Sequence, residues 1–277
     1  MRAIPETLTI YGTHYSKDKL TLLARSLAEV TKTDWEHALG RFLLQWLDEK
    51  DFIEVTTSGS TGTPKAIILD KAAMVTSASM TGRFLDLRVG QTSLLCLSTA
   101  YIAGMMMVVR AMVHRLNLLT VPPSGFPLND ISSGTTIDFA AMVPAQVYNA
   151  VNAPESEQKL ESIGTLIIGG APLSPELETR IAGLKGRIYA TFGMTETITH
   201  IALRRLNGPG RSDVYMVLPG ITLGTDERGC LIVDIPYHDG RKLVTNDLVT
   251  IESPKTFTWL GRADHVINCG GIKLIPE

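Results

Sequence analysis

The chain has 277 residues, of which 44% are hydrophobic, and its formal net charge is −2. This length and apolar content predict a globular protein with a sizeable core, built as two domains or as one large α/β unit. Basic residues are scattered along the chain, so we expect no nucleic-acid partner and no binding to a membrane surface. No apolar run is long enough to span a bilayer and no signal-peptide pattern is present, so we expect a cytoplasmic location.

The three cysteines, Cys96, Cys230 and Cys269, are widely spaced in apolar or glycine-rich surroundings. They lack the paired spacing that is typical of a zinc site. Reduced thiols are therefore a better interpretation than a disulfide framework or a structural metal.

The first 50 residues contain a short strand candidate and two helical stretches. The second stretch begins with Thr33-Asp34-Trp35-Glu36, a capping-box pattern that precedes an amphipathic helix. Farther along, Asp70 is placed to cap a helix that runs to about Phe84, and residues 94–97 form an apolar strand candidate. Residues 1–50 are predicted to be scaffold.

Strand candidates then alternate with helices. The strands are predicted at residues 116–121, 137–143, 165–168 and 187–191, and two of the helices open at Pro144 and at Ser174-Pro175. This alternation, with polar or glycine-rich turns at the strand ends, predicts an α/β fold whose mainly parallel sheet carries a site along one edge. After residue 197 the helical periodicity is lost, and short strands are predicted at residues 215–223, 229–235 and 243–251. We therefore expect an α/β core over residues 1–197 and a β-rich subdomain of the same large domain over residues 198–260.

Residues 56–65, Thr-Thr-Ser-Gly-Ser-Thr-Gly-Thr-Pro-Lys, lie between two apolar alternating runs and are predicted to join two strands. Two glycines allow close backbone approach, while hydroxyl and N–H groups and a lysine supply donors and charge, so the segment predicts a polyphosphate-binding loop. It lacks the Walker spacing. A flexible linker is the alternative, but linkers seldom lie between two strands. The predicted phosphate-binding residues are Thr57, Ser58, Gly59, Ser60, Thr61, Gly62, Thr63 and Lys65.

Arg110 lies in a predicted helix that is otherwise made of methionine, valine and alanine. A guanidinium in such a helix must reach water or find an acid. A ligand carboxylate is one interpretation, and a solvent-facing or structural ion pair is the other.

Five motifs follow one another along the chain: the loop at 56–65, Gly169-Gly170-Ala171-Pro172, Phe192-Gly193-Met194-Thr195-Glu196, Thr245-Asn246-Asp247-Leu248 and Gly261-Arg262-Ala263-Asp264. Together they resemble the adenylate-forming acyl-CoA synthetase and ligase superfamily. Residues 101–110 and 195–202 are similar to the o-succinylbenzoate-CoA ligase branch, which serves menaquinone biosynthesis. The resemblance implies that a carboxylate attacks the α-phosphate of ATP to give acyl-AMP and pyrophosphate, and that the thiolate of coenzyme A then displaces AMP. Another aryl or short acyl acid, or a non-catalytic adenylate-binding module, are the alternatives.

The resemblance assigns the chemistry to Lys65, Thr195 and Glu196, with Glu196 as the Mg²⁺ ligand and a simple turn cap as its alternative role. It places adenine between the Gly169-Gly170-Ala171-Pro172 backbone and the ring of Phe192, next to Gly193. The family usually has tyrosine where this chain has Phe192, so a hydroxyl contact is lost. Asp247 is expected to bind the ribose hydroxyls and Arg262 a ribose or phosphate oxygen, with a surface ion pair as the alternative.

The acyl pocket is expected to include Tyr101, Gly104, Arg110 and His200, with Arg110 facing the second carboxylate of the acid. Related ligases have histidine at the position of Tyr101, which puts its gating role in doubt, and a lone His200 is as often structural.

Asp264 resembles the hinge residue of the family, so residues 261–277 are expected to hold the hinge motif and the start of a mobile C-terminal domain. That domain and its lysine are absent from the sequence, and we expect the chain to bind ATP and acyl-adenylate but to adenylate slowly. A homodimer is an expectation from family analogy alone.

Overall fold

The computed structural model describes residues 3–29, 33–57, 65–238, 240–265, 267–269 and 272–274. At some of these positions, including Thr57, Lys65 and Thr195, only the backbone is described. Residues 58–64, which form most of the predicted phosphate loop, lie outside the described residues. Within the described ranges, no helix combines the length and the apolar character needed to cross a bilayer.

Helices and strands alternate through the first two thirds of the chain, and strands predominate afterwards, as the sequence predicted. The helices are α1 (Lys17–Glu29), α2 (Asp34–Leu47), α3 (Lys71–Leu85), α4 (Ile102–His114), α5 (Pro144–Val151), α6 (Pro154–Glu161) and α7 (Pro175–Ala182). The strands are β1 (Leu8–Ile10), β2 (Thr13–Tyr15), β3 (Phe52–Thr57), β4 (Lys65–Asp70), β5 (Thr92–Leu95), β6 (Asn117–Thr120), β7 (Phe139–Met142), β8 (Thr165–Ile168), β9 (Arg187–Gly193), β10 (His200–Arg205), β11 (Val214–Val217), β12 (Thr222–Thr225), β13 (Cys230–Asp234), β14 (Lys242–Ser253), β15 (Thr256–Arg262), β16 (Ile267–Cys269) and β17 (Ile272–Leu274).

Two helices begin where their caps predicted. The Asp70 carboxylate accepts the N–H of Ala73 at 2.6 Å, and the Ser174 hydroxyl accepts the N–H of Leu177 at 3.2 Å. Each bond satisfies one of the backbone donors that a helix leaves unpaired at its start. These caps fix the first residues of α3 and α7.

The capping box at the start of α2 is wrong in one respect. The helix begins at Asp34 as expected, but the side chain of Thr33 makes no cap bond to the backbone. Its hydroxyl donates to the carboxylate of Glu36 instead. The two side chains of the box therefore bond to each other, and the carboxylate makes this a charge-assisted hydrogen bond.

Thirteen of the described strands form one large sheet in the order β12-β13-β14-β15-β11-β10-β9-β8-β7-β5-β6-β1-β2, and β3–β4 and β16–β17 form two separate two-stranded sheets. From β9 to β1 every neighbouring pair is parallel, and from β9 to β12 every pair is antiparallel. The sheet is therefore parallel in the α/β part and antiparallel in the β-rich part. The two parts meet where β9 pairs with β10.

Both faces of the parallel strands are covered by helices. In β7, Phe139 and Ala141 pack into a core with α3 and α4, while Ala140 and Met142 pack into a second core with α5 and α7. All four residues are buried. Coverage of both faces explains why these strands are continuously apolar instead of alternating.

The strand predicted at residues 215–223 is wrong, because the segment forms two strands. β11 ends at Val217 and β12 begins at Thr222. Between them stands Pro219, which has no N–H, followed by Gly220 with a φ of +95°. This turn ends one strand and sends the chain to the edge of the sheet, where β12 pairs with β13.

Cys96 and Cys230 are buried free thiols. Burial raises the pKa of the Cys96 thiol to about 12, and its Sγ donates to the backbone oxygen of Ala141. A thiol in this state is unreactive at neutral pH. The side chain of Cys269 lies outside the described residues.

Candidate active site

A cavity of about 330 Å³ opens at the carboxyl ends of the parallel strands. The ends of β7, β8 and β9, the start of α4 and the segment leading into β10 form its walls. Ligands of α/β proteins bind at this edge, because successive strands end there side by side. The predicted site residues that line the cavity are Gly169, Gly170, Gly193, Arg110 and His200.

Gly169 and Gly170 form a bare stretch of backbone after β8. A Cβ at Gly169 would lie 2.0 Å from Oγ1 of Thr191, and Gly170 has a φ of +88°. Both features require glycine, since no larger residue fits the first position and few adopt the second conformation. Ala171 and Pro172 follow and are exposed. The arrangement leaves a backbone surface against which a flat ligand can pack.

The turn after β9 is held by its own threonine. Thr197 is fully buried, and its hydroxyl bonds with the backbone of Met194 and with the Thr199 carbonyl at 2.6 Å. Tyr237 donates its hydroxyl to the Thr197 carbonyl at 2.8 Å, and burial raises the pKa of Tyr237 to about 12. The phenol therefore stays a neutral donor. These bonds fix the short helix that carries Glu196, which is exposed.

Arg110 is buried, with 2% of its surface exposed. Its Nη2 donates to Oγ1 of Thr199 at 3.1 Å and its Nη1 approaches the sulfur of Met107 at 3.7 Å, while Nε is buried without a partner. No carboxylate among the described side chains pairs with it. Burial lowers the pKa of the guanidinium to about 10, so it remains a cation at neutral pH. An unpaired buried cation is costly and marks a place where an anion would be stabilised.

His200 is linked to Arg110 through Thr199. Its Nδ1 lies 3.4 Å from the Thr199 hydroxyl and its Nε2 lies 3.1 Å from the hydroxyl of Thr81. Thr81 donates its single hydrogen to the carbonyl of Ser77, so it accepts from Nε2. Nδ1 is then the acceptor for Thr199, whose oxygen accepts from the guanidinium. The bonds run in one direction from the cation to the backbone of α3.

Burial is the main cause, and the nearby charge of Arg110 a smaller one, of a His200 pKa well below the usual value. The imidazole is therefore neutral at pH 7, as the direction of these hydrogen bonds requires. The structural role of His200 in these hydrogen bonds is compatible with a role in the pocket, because the ring also lines the cavity.

The backbone beside His200 is strained and tightly packed. Ile198 has a φ of +64°, which is rare for a β-branched residue, and it is buried on the cavity wall. A Cβ at Gly193 would lie 2.5 Å from Cα of His200. Strain of this kind is kept where surrounding contacts hold it, and such positions concentrate at functional sites.

Methionines supply soft walls around the cation. Met142 and Met194 line the cavity, and Met107 contacts Arg110 from within α4. Their unbranched side chains adapt to irregular volumes. The pocket thus combines one fixed charge with adaptable apolar walls.

Phe192 lies outside the residues that line this cavity. Its ring packs edge-on against Tyr215 at 5.6 Å and Phe257 at 5.1 Å, between ring centroids. Residues of a strand alternate in direction, so Phe192 points away from Thr191 and Gly193, which line the cavity. Stacking of this ring on adenine stays a prediction.

Asp247, Arg262 and Asp264 form a second polar group on β14 and β15. Asp247 is 6% exposed and lies opposite Arg262, whose Nε and Nη2 donate to Asp264 at 3.1 and 3.2 Å. In the sheet order, β10 and β11 separate these strands from β9. The predicted ribose and hinge residues thus form a cluster separate from the cavity walls.

The remaining predicted residues lie at the start of α4 and in the β3–β4 hairpin. Tyr101 is 58% exposed and precedes α4, whereas Gly104 is buried, and a Cβ there would lie 2.3 Å from the Ser98 carbonyl. Gly104 is therefore required for packing. β3 pairs with β4 up to Thr57 opposite Lys65, so the predicted loop does join two strands.

No group of three or more metal-binding side chains occurs in the part of the chain that the structure describes. Glu196 offers a single exposed carboxylate. Magnesium commonly takes one or two carboxylates and completes its shell with phosphate and water oxygens. The residues therefore fit a magnesium ion that arrives with a nucleotide, and they do not form a closed protein site.

Three contributors were missed by the sequence analysis: Thr199, Thr81 and Tyr237. Thr199 lies within the motif region but carries no sequence signal of its own beyond being next to His200. Thr81 and Tyr237 are distant in sequence from the residues they contact, so only the tertiary structure places them.

Comparisons with known proteins agree on one family. The model of the family described as AMP-binding enzyme matches residues 21–223. A protein of Mycobacterium tuberculosis named probable 2-succinylbenzoate–CoA ligase is 29% identical over 88% of this chain and 67% of its own length. A 2-succinylbenzoate–CoA ligase of Bacillus cereus is 29% identical over 53% of this chain and 31% of its own length. The chain is thus shorter than these curated relatives.

Solved structures support the same fold. An acyl-CoA synthetase (AMP-forming)/AMP-acid ligase II-like protein from Dyadobacter fermentans has a TM-score of 0.81 and 38% identity, over 92% of this chain and 72% of that chain. E. coli MenE with a bound phenylether-linked analogue of OSB-AMS has a TM-score of 0.70 over 98% of this chain and 78% of that chain, and its 17% identity supports the fold alone. The chain belongs to the AMP-binding enzyme family and has the α/β fold of an adenylate-forming N-terminal domain.

Proposed function

We propose that this protein activates o-succinylbenzoate with ATP as an acyl-adenylate and transfers the acyl group to coenzyme A. The observation that carries the proposal is Arg110, a buried cation without a carboxylate partner among the described residues, on the wall of the cavity. o-Succinylbenzoate has two carboxylates and only one reacts. The second needs a cation inside an apolar pocket, which is what Arg110 offers. The curated relatives named 2-succinylbenzoate–CoA ligase support this choice of acid.

In this proposal the acid lies along the cavity with its second carboxylate toward Arg110. The unpartnered Nε is available to that carboxylate, and Nη2 is already oriented by Thr199. His200 is neutral, so it adds no charge that would compete for the acid. The reacting carboxylate then lies toward the turn that carries Thr195 and Glu196.

The nucleotide is proposed to lie between the glycines after β8 and the polar groups beyond β9. Gly169 and Gly170 would pack against adenine, Asp247 would accept the ribose hydroxyls, and Lys65 would neutralise phosphate charge. Thr195 would donate to the α-phosphate. Magnesium, when bound, would neutralise phosphate charge, with Glu196 holding it. In-line attack at phosphorus requires mainly this positioning and neutralisation from the protein.

Coenzyme A as the acyl acceptor, the cytoplasm as the location and a homodimer as the assembly are proposals from the family. The first follows from the reaction of acyl-CoA synthetases, the second from the sequence pattern, and the third from family analogy alone. The chain is shorter than its curated relatives, so the transfer of the acyl group to coenzyme A is a separate proposal with its own test below.

The test is a calorimetric titration with stable sulfamoyl analogues of acyl-AMP. The o-succinylbenzoyl analogue should bind at least about tenfold more tightly than the benzoyl analogue, which corresponds to about 1.4 kcal/mol. Equal binding of both would refute the dicarboxylic acid and leave an adenylate site for another acid. Failure of every analogue, including one of bare adenosine, would refute the adenylate site itself.

The transfer step is checked by mixing the protein with ATP, magnesium, the acid and coenzyme A and following pyrophosphate and thioester. Both products are expected to form, but slowly. Pyrophosphate without thioester would limit the chain to adenylation, and tight analogue binding without either product would favour a non-catalytic adenylate-binding module.

A further inference from the structure

The indole of Trp259 contacts the carboxylate of Asp247, the predicted ribose ligand. On β14, Asp247 and Val249 are separated by one residue and share a face, and Val249 lies opposite Trp259 on β15. Between the pairs Leu248–Gly261 and Val249–Trp259 the register advances by one residue on β14 and by two on β15. Leu260 is therefore an extra residue of the kind found in a β-bulge.

The bulge brings Trp259 to the carboxylate. Nε1 of Trp259 donates to Oδ1 of Asp247 at 3.0 Å. Without the extra residue, the alternation of β15 would not direct both Trp259 and Arg262 to the face of Asp247. The backbone N–H of Asp247 is also held, by Oγ1 of Thr245 at 3.0 Å.

The chemistry of the indole suits one task. Nε1–H can only donate a hydrogen bond, so it occupies one lone pair of Oδ1 and does not itself accept from a ligand. An ionised carboxylate has about four acceptor positions, so Oδ2 and the second lone pair of Oδ1 remain for two neighbouring hydroxyls. A carboxylate that is 6% exposed and held from one side presents a defined edge to a diol.

We propose that Trp259 is a positioning residue for the nucleotide, because its indole N–H fixes the Asp247 carboxylate in the orientation that receives the ribose diol. The inference rests on the proposed function, since it takes Asp247 as the ribose ligand. Its specific consequence is that discrimination between ribose and deoxyribose depends on Trp259.

The experiment compares dissociation constants of ATP, 2′-deoxy-ATP and 3′-deoxy-ATP by calorimetry with magnesium present. The unchanged protein should prefer ATP over each deoxynucleotide by about tenfold or more, the value of about one lost hydrogen bond to a charged group. Trp259→Phe keeps the ring and removes the donor, and it should reduce this preference to about threefold or less. Its affinity for the deoxynucleotides should change little.

Trp46→Phe is the matched control. It also removes an indole donor, which bonds to the Pro5 carbonyl at 2.8 Å, in the helical layer away from the cavity. It should lower thermal stability and leave the preference for ATP unchanged. On an Asp247→Asn background, Trp259→Phe should cause no further loss of preference.

The outcomes separate the two proposals. Preserved preference in Trp259→Phe overturns the role of Trp259 and leaves the proposed function intact. Equal binding of ATP and deoxynucleotides by the unchanged protein also overturns it, while nucleotide binding survives. Absence of ATP binding overturns both.

A second measurement keeps Trp259 in place in case Trp259→Phe does not fold. The chain has three tryptophans, so replacing Trp35 and Trp46 by phenylalanine leaves Trp259 as the single emitter. Its emission should shift with ATP and shift less with 2′-deoxy-ATP. Identical responses to both nucleotides would contradict the inference.

Discussion

Replacing Arg110 by methionine should make the protein more stable and less able to bind its acid. Burial lowers the pKa of Arg110 from 12.5 to about 10. At about 1.4 kcal/mol for each pKa unit, the cation costs the folded chain about 3 kcal/mol. The folded pKa lies below the unfolded one, so the penalty is present in full below about pH 10 and disappears as the pH rises toward 12.5. The substitution also removes the hydrogen bond to Thr199, and this loss offsets about 1 kcal/mol of the gain in stability.

The expected net gain is about 1–3 kcal/mol in the free energy of unfolding, or about 2–4 °C in melting temperature per kcal/mol. Denaturant unfolding measures the first quantity and calorimetry with the two acyl analogues measures affinity. The o-succinylbenzoyl analogue should lose at least about tenfold in affinity, while the benzoyl analogue should be unaffected.

Arg204→Met is the control, because Arg204 is paired with Glu178 and Asp213. The same change there should destabilise the protein by about 1–2 kcal/mol, since it leaves a partly buried carboxylate without its partner. A destabilised Arg110→Met variant, or one that still distinguishes the two analogues, would refute the reasoning.

Three further changes test the structure around the cavity. Gly169→Ala should lower stability by about 1–3 kcal/mol and weaken adenosine binding, since the added methyl group meets Oγ1 of Thr191; unchanged binding in calorimetry would contradict the packing role of this backbone. Tyr237→Phe should cost about 1 kcal/mol and slow pyrophosphate release, because the Thr197 carbonyl loses its donor; an unchanged rate would show that the turn holds without it. The lowered pKa of His200 means that the unfolded chain binds a proton that the folded chain does not, so stability should fall as the pH drops below about 6.5. His200→Asn should reduce that slope by up to about 1.4 kcal/mol per pH unit, and an identical slope in denaturant titrations would mean that His200 is charged in the folded chain.

Much of the fold followed from local signals. The caps at Asp70 and Ser174 and the apolar strand at 165–168 specify their elements through contacts within a few residues, so the sequence predicted them closely. The two strands within residues 215–223 were missed, although Pro219 and Gly220 were the available signal. The continuity of the large sheet across β9 and β10 was not predictable, because strand pairing depends on residues far apart in the chain.

The site was predictable where a sequence motif reflects a requirement of the backbone, as at Gly169 and Gly170. It was not predictable where side chains from different elements meet. The neutral state of His200 and the direction of its hydrogen bonds depend on Thr81, which lies 119 residues away in sequence. For Arg110 the sequence left a ligand carboxylate and a solvent-facing or structural ion pair open. Only the tertiary structure shows that the side chain is buried without a carboxylate partner among the described residues, and its binding to a ligand stays a prediction.

The methionine walls around Arg110 imply how the acid preference of this protein can diverge. A flexible thioether accepts changes in ligand bulk at little cost, whereas an unpaired guanidinium penalises any ligand that leaves it unmatched. If Arg110 holds the second carboxylate as proposed, drift in Met142 or Met194 should alter the size of the acid that is accepted, while the requirement for a second negative charge persists as long as Arg110 is retained. Size and charge are thus separable traits in this pocket, and selection can act on one without disturbing the other.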